Sequence, residues 1–228
     1  MPPENARWSV RTKFETRADQ DVGLIVGLAA VIDQPTEIYP GFVESIAPGA
    51  FVDSIGRDDI RALFNHEANR ILGRTKAGTL RLAEDEVGLR YEIDADLRST
   101  SVRDVYLAIQ RKDVTQSSFG FDIVAESWIY PQADEPVQHV IEQVNLWDVS
   151  PVTFAAFPQT EVDARTLHRF LAAAARRVDC DPDELRRMEP AQVRSLFAPT
   201  PPPKLEVPPC TPLLTAAYAE LRKRQYGV

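Results

Sequence analysis

Period-two alternation of apolar and polar residues recurs along most of this chain, and it restricts the possible folds more than any other feature. Trp8, Val10, Thr12 and Phe14 alternate with polar residues, and the same period returns in Thr79–Ala83, Leu89–Ala95, Gln116–Ile123, Phe121–Trp128 and Val137–Val149. Successive side chains of an extended strand point to opposite faces, so each run offers one apolar face to a core. Gly23–Ile32 is apolar almost throughout and reads as a more buried strand, far too short to cross a bilayer. Ile60–Phe64 is a further short strand that delivers Asn65-His66, and Val152–Phe157 is a last one. Two short helices interrupt the pattern. Ala47–Ile55 carries Pro48 in its first turn, and the helix begun by Ser101 sets Val102, Val105, Tyr106 and Ile109 on one stripe. Thr79–Ala83 and Leu89–Ala95 flank an acidic turn ending in Gly88, the signature of a hairpin. The expected fold is mainly β with flanking helices (α+β), a sandwich or barrel.

The character of the chain changes after Gln159. Thr166–Arg177 is alanine-rich and helical, and Asp181-Pro182-Asp183-Glu184 reads as a capping box with proline at the first helical position. Seven prolines between Pro199 and Pro212 predict an extended linker, followed by an amphipathic helix over Leu213–Gln225. The reading divides the chain into a main domain (1–165), able to fold alone, a helical extension (166–198), a proline-rich linker (199–212) and a C-terminal helix (213–228).

Charge and cysteine content exclude several function classes. The net charge of −8 and the lack of a basic cluster before the last helix argue against nucleic acid as the main partner. Cys180 and Cys210, the two cysteines, suit a reducing compartment better than a disulfide scaffold. The N-terminal residues lack the apolar stretch of a signal peptide, so the expectation is an intracellular protein without a membrane partner. His66-Glu67 begins like a helical zinc motif, but Arg70 stands where the second histidine is required. No metal or cofactor is expected. Neither a Gly-x-Ser-x-Gly elbow nor a Walker loop occurs.

Chemistry concentrates in Gln116-Ser117-Ser118-Phe119-Gly120-Phe121-Asp122-Ile123. Phe119, Phe121 and Ile123 share one face, while Ser118, Gly120 and Asp122 share the other. That arrangement holds a hydroxyl on a strand anchored by aromatic packing, next to a glycine that permits close approach. An ordinary solvated serine has the same pattern. Likewise His66 at a strand end is commonly structural, and Asp148, between apolar neighbours, suits a turn cap.

Five segments carry a resemblance. Gly41-Phe42-Val43-Glu44-Ser45-Ile46-Ala47-Pro48-Gly49-Ala50-Phe51, Ala62-Leu63-Phe64-Asn65-His66, Ile71-Leu72-Gly73-Arg74-Thr75 with Gly78–Leu82, Ser117-Ser118-Phe119-Gly120-Phe121, and Val149–Phe154 through Pro158 are similar, in order, to the HK97-type prohead (capsid maturation) proteases of tailed phages. The resemblance covers residues 8 to 165. It implies a serine endopeptidase with an antiparallel β-barrel like that of the herpesvirus assemblins, to which the helical, proline-linked appendage is added. It places the family's histidine on His66, its serine on Ser118 and its acidic residue, usually glutamate, on Asp148. His139 is the competing third member, as in a Ser-His-His arrangement. Backbone N–H groups near Gly120 or Gly73, or the Arg74 guanidinium, are the oxyanion candidates.

The implied substrates are scaffold segments and the major capsid protein, cut inside the procapsid in the host cytoplasm, with self-cleavage. Homodimerisation, as in the assemblins, is one route to activation. Two other readings stand beside it: a catalytically inactive relative serving as a scaffold or interaction module in capsid assembly, and an unrelated β-barrel binding protein. Asp148 in place of glutamate and Arg111-Lys112-Asp113 before the serine strand depart from the family pattern.

Overall fold

In the computed structural model the described residues are 6–19, 21–130, 135–154 and 164–197. Residues 1–198 form one compact unit. The expected linker 199–212 and helix 213–228 lie outside the described residues. In chain order the strands are β1 (Ala6–Arg11), β2 (Glu15–Asp19), β3 (Val22–Val31), β4 (Thr36–Tyr39), β5 (Phe42–Ile46), β6 (Arg61–Phe64), β7 (Glu67–Arg74), β8 (Leu80–Glu84), β9 (Gly88–Asp96), β10 (Gln116–Ile129) and β11 (Val137–Val152). The helices are α1 (Val52–Arg57), α2 (Thr100–Gln110), α3 (Ala164–Val178), α4 (Pro182–Arg187) and α5 (Pro190–Leu196).

The described strands form two sheets and no closed barrel. One sheet has the order β1-β10-β11-β5-β4, with β6 on β11 and β7 on β6; the other has the order β2-β3-β9-β8. Pairing is not purely antiparallel either, because β11 runs parallel to both β5 and β6. The mainly β, α+β class holds; the expected antiparallel barrel is replaced by two facing sheets. The reason lies in the length of β11. Its first half pairs with β5 and its second half with β6, so one long edge takes two short strands in succession. Between them α1 covers the gap: Val144 N–H donates to the Ala50 carbonyl and Leu146 N–H to Ser54 Oγ. The edge donors of β11 are thereby satisfied without a strand.

A shared core lies between the sheets. Ile25, Ala29, Leu89, Tyr91 and Ile93 of one meet Phe119, Phe121, Ile141, Val144, Leu146 and Val149 of the other. Phe119 stacks on Phe121 at 4.8 Å between ring centroids and meets Phe51 edge-on at 5.4 Å. Burying each such ring contributes about 1.5–3 kcal/mol, which fixes the backbone of β10 around Ser118. The α2 stripe of Val102, Val105, Tyr106 and Ile109 is buried as its spacing predicts. Gly27 is small for a reason: a Cβ there would overlap the ring of Tyr91, which is completely buried.

A second core sits at the other end of β11. Phe170, Leu171, Ala174 and Ala175 of α3, Leu185 of α4, and Val193 of α5 pack with Phe197 on Ile38, Phe42 and Val137. The helical segment is thus seated on β4, β5 and the start of β11. Asp181 caps α4 by accepting from the N–H groups of Asp183 and Glu184. Several elements differ from expectation. The strand expected through Phe14 ends at Arg11; α1 is shorter than Ala47–Ile55 and leaves Pro48 outside; β2, β4, β5, β7 and α5 were not foreseen; and Val152 ends β11, while 155–157 lie outside the described residues.

Candidate active site

Three strands converge on one point. Register sets Ser118 directly opposite Ser150, and Gly120 opposite Asp148, so the side chains of Ser118, Asp148 and Ser150 share a face. The register then shifts between Gly120 and Phe121, whose partner is Leu146. This bulge turns Trp147 outward, where its Nε1–H donates to Asp122 Oδ2 at 3.0 Å. Because β6 pairs with β11 at Asp148 and Val149, the residues that follow Phe64 arrive over the same face.

His66 is the second residue of the two-residue connection between β6 and β7, with Phe64 paired to Glu67. Asn65 and His66 both have positive φ, 54° and 58°. A tight hairpin of this kind needs two such residues, and asparagine takes the first position readily. Histidine at the second costs about 1–2 kcal/mol. The surroundings hold the turn in place: Asn65 N–H donates to the Pro151 carbonyl at 3.1 Å, Thr153 N–H donates to Asn65 Oδ1 at 2.8 Å, and Asn65 Nδ2 donates to Thr153 Oγ1 at 3.2 Å.

The structure brings together His66, Ser118 and Asp148. His66 Nε2 lies 2.8 Å from Ser118 Oγ, and His66 Nδ1 lies 2.7 Å from Asp148 Oδ1. A carboxylate only accepts, so Nδ1 carries the proton and Nε2 of the neutral ring faces the serine hydroxyl as acceptor. Ser118 is 1% exposed and Asp148 8%, so the hydroxyl is covered rather than solvated. This arrangement can remove a proton from Ser118 and stabilise the imidazolium that results.

The other expected residues have different surroundings. His139 is fully buried, with Nδ1 2.7 Å from Glu44 Oε2 and Nε2 2.8 Å from Glu126 Oε2, under the stacked ring of Trp128. Both its nitrogens face carboxylates, so Asp148 and not His139 stands beside His66. The Arg74 guanidinium is engaged with both oxygens of Asp59, which holds the Asp59 carboxyl at about 2 and raises the Arg74 value further. Gly73 packs against the Thr79 carbonyl, and Gly120 makes room for Asp148, since a Cβ there would overlap Asp148 Oδ2. Among the described residues no cluster could hold a metal ion, and no helix is long and apolar enough to cross a membrane.

Sequence reasoning missed Ser150, whose Oγ donates to Asp148 Oδ1 at 2.7 Å, and the Asn65–Thr153 clamp. A signal for Ser150 existed, because residues two apart on a strand share a face. Nothing in the sequence brings Asn65 to Thr153.

No curated protein and no solved structure matches the chain. The family model of the caudovirus prohead serine proteases matches residues 11–173. That span includes β2 to β11, every residue of the hydrogen-bonded site, and the first part of α3. The chain belongs to the caudovirus prohead serine protease family.

Proposed function

We propose that this protein is a serine endopeptidase of capsid maturation in which Ser118 is the nucleophile, His66 the general base and acid, and Asp148 the residue that orients and charges-compensates the imidazole. It cuts scaffold segments and the N-terminal part of the major capsid protein inside the procapsid of a phage-infected cell, cuts its own chain, and acts as a homodimer. The observation that carries the reading is the pair of hydrogen bonds from one buried imidazole to Ser118 and Asp148. Ser118 Oγ attacks the scissile carbonyl as its proton passes to His66 Nε2; the C–N bond then breaks, and the same proton goes to the leaving amine. Water, deprotonated by His66 Nε2, attacks the acyl carbon, and the proton passes to Ser118 Oγ as the C–Oγ bond breaks and the acid leaves. Asp148 favours the imidazolium in both steps.

Co-expression with the candidate major capsid protein, followed by intact mass of both chains, tests this. Wild-type protein should shorten the capsid protein and Ser118→Ala should leave it whole. Asp148→Asn should keep the fold and slow cleavage by about 10⁴-fold, the size of the corresponding effect in a Ser-His-Asp protease. Undiminished cutting by a folded Ser118→Ala chain would refute the assignment.

A further inference from the structure

Asp148 meets two hydrogen-bonding partners at one oxygen. Oδ1 lies 2.7 Å from His66 Nδ1 and also accepts from Ser150 Oγ at 2.7 Å. Oδ2 occupies the space that a Cβ on Gly120 would take. Ser150 is itself fully buried and tied to the core. Its carbonyl accepts from Ser117 Oγ at 3.3 Å, and Ser117 Oγ lies 2.8 Å from the hydroxyl of buried Tyr91. A carboxylate held by two donors on one oxygen cannot rotate about Cβ–Cγ without losing one of them.

We propose that Ser150 is a positioning residue of the active site: its hydroxyl locks the Asp148 carboxylate in the orientation that aims His66 at Ser118. This rests on reading Ser118, His66 and Asp148 as the catalytic group. Ser150 touches neither the nucleophile's proton nor the leaving group; it acts through Asp148. Without its hydroxyl the carboxylate gains a rotation, and the imidazole that depends on it spends less time aligned with Ser118. The loss falls on the chemical step and leaves binding unchanged.

The test uses the full-length protein and a fluorophosphonate, which needs no knowledge of the cleavage sequence. Ser118 Oγ attacks phosphorus, the P–O bond forms as the P–F bond breaks, fluoride departs, and His66 takes the hydroxyl proton. Ser150→Ala should lower the maximal labelling rate about tenfold or more, the size of one hydrogen bond to a charged group, without changing the probe concentration that gives half of that rate. Ser150→Cys, similar in volume but a weak donor, should lose rate as well and serves where the alanine variant fails to fold. In an Asp148→Ala background the added effect of Ser150→Ala should shrink below about twofold, because residues acting as a unit are not additive. A folded Ser150 variant labelled at the wild-type rate, or a full tenfold loss persisting in the Asp148→Ala background, would overturn the role. Wild-type protein that resists labelling altogether would sink the serine-nucleophile reading and this inference with it.

Discussion

Ser117 and Ser118 are neighbours with the same hydroxyl, and the strand sends them to opposite environments. Ser118 faces His66, whereas Ser117 faces the core, where its Oγ lies 2.8 Å from the Tyr91 hydroxyl. Burial raises the Tyr91 pKa, so this phenol stays neutral and its hydroxyl needs a partner. Ser117→Ala should therefore spare the chemistry and weaken the fold by about 1–3 kcal/mol, the cost of a buried polar group left unpaired. Fluorophosphonate labelling at the wild-type rate together with a lower urea midpoint is the expected result. A labelling-dead Ser117→Ala beside an active Ser118→Ala would mean that the nucleophile is the other serine.

At the scale of elements, buried Glu44 and His139 with half-buried Glu126 join β5, β10 and β11 beneath the helices. One neutral imidazole has a single N–H, yet both ring nitrogens of His139 lie within 2.8 Å of carboxylate oxygens, so the bonds call for an imidazolium. Burial alone lowers the His139 pKa, but hydrogen bonds and charge from Glu126 and Glu44 outweigh it and the value is raised above the usual 6.5. The Glu126 carboxyl is lowered from 4.5, chiefly by its bond to His139, with Arg176 adding to the effect. The sign follows for each group. His139 contributes fully below about pH 6.5 and loses its contribution as pH rises through the higher folded value; Glu126 contributes fully above about pH 4.5 and loses it as pH falls. Urea midpoints taken across the neutral range should fall with rising pH more in the wild type than in His139→Gln. Parallel curves would refute the imidazolium.

For the whole molecule, the helical segment completes the fold instead of trailing from it. α3, α4 and α5 cover Phe42 and Val137, both fully buried, and Trp128 packs against the same cluster. Phe42 meets Phe170 and Phe197 edge-on, each at 5.3 Å. Ending the chain near residue 163 would uncover these side chains at about 1.5–3 kcal/mol for each large one. A chain ending at residue 198 should melt cooperatively near the full-length temperature, while one ending at 163 should melt lower or aggregate. Equal melting temperatures would show that the first 163 residues fold independently.

The alternation of the strands and the α2 stripe were legible in the sequence, because side-chain period is a local property; His66, Ser118 and Asp148 were singled out by the family resemblance, since each taken alone has an ordinary structural reading. Other features came from pairing between distant segments. Only the register of β10 on β11, with its bulge at Trp147, sets Asp148 and Ser150 on the face of Ser118. Only the parallel docking of β6 on β11 swings His66 over that face and closes the Asn65–Thr153 clamp. Which of Asp148 and His139 stands beside His66 was likewise a tertiary matter. Each is an acceptor-bearing residue on the same strand, and what separates them is that β5 brings Glu44 to one end of β11 while β6 brings His66 to the other.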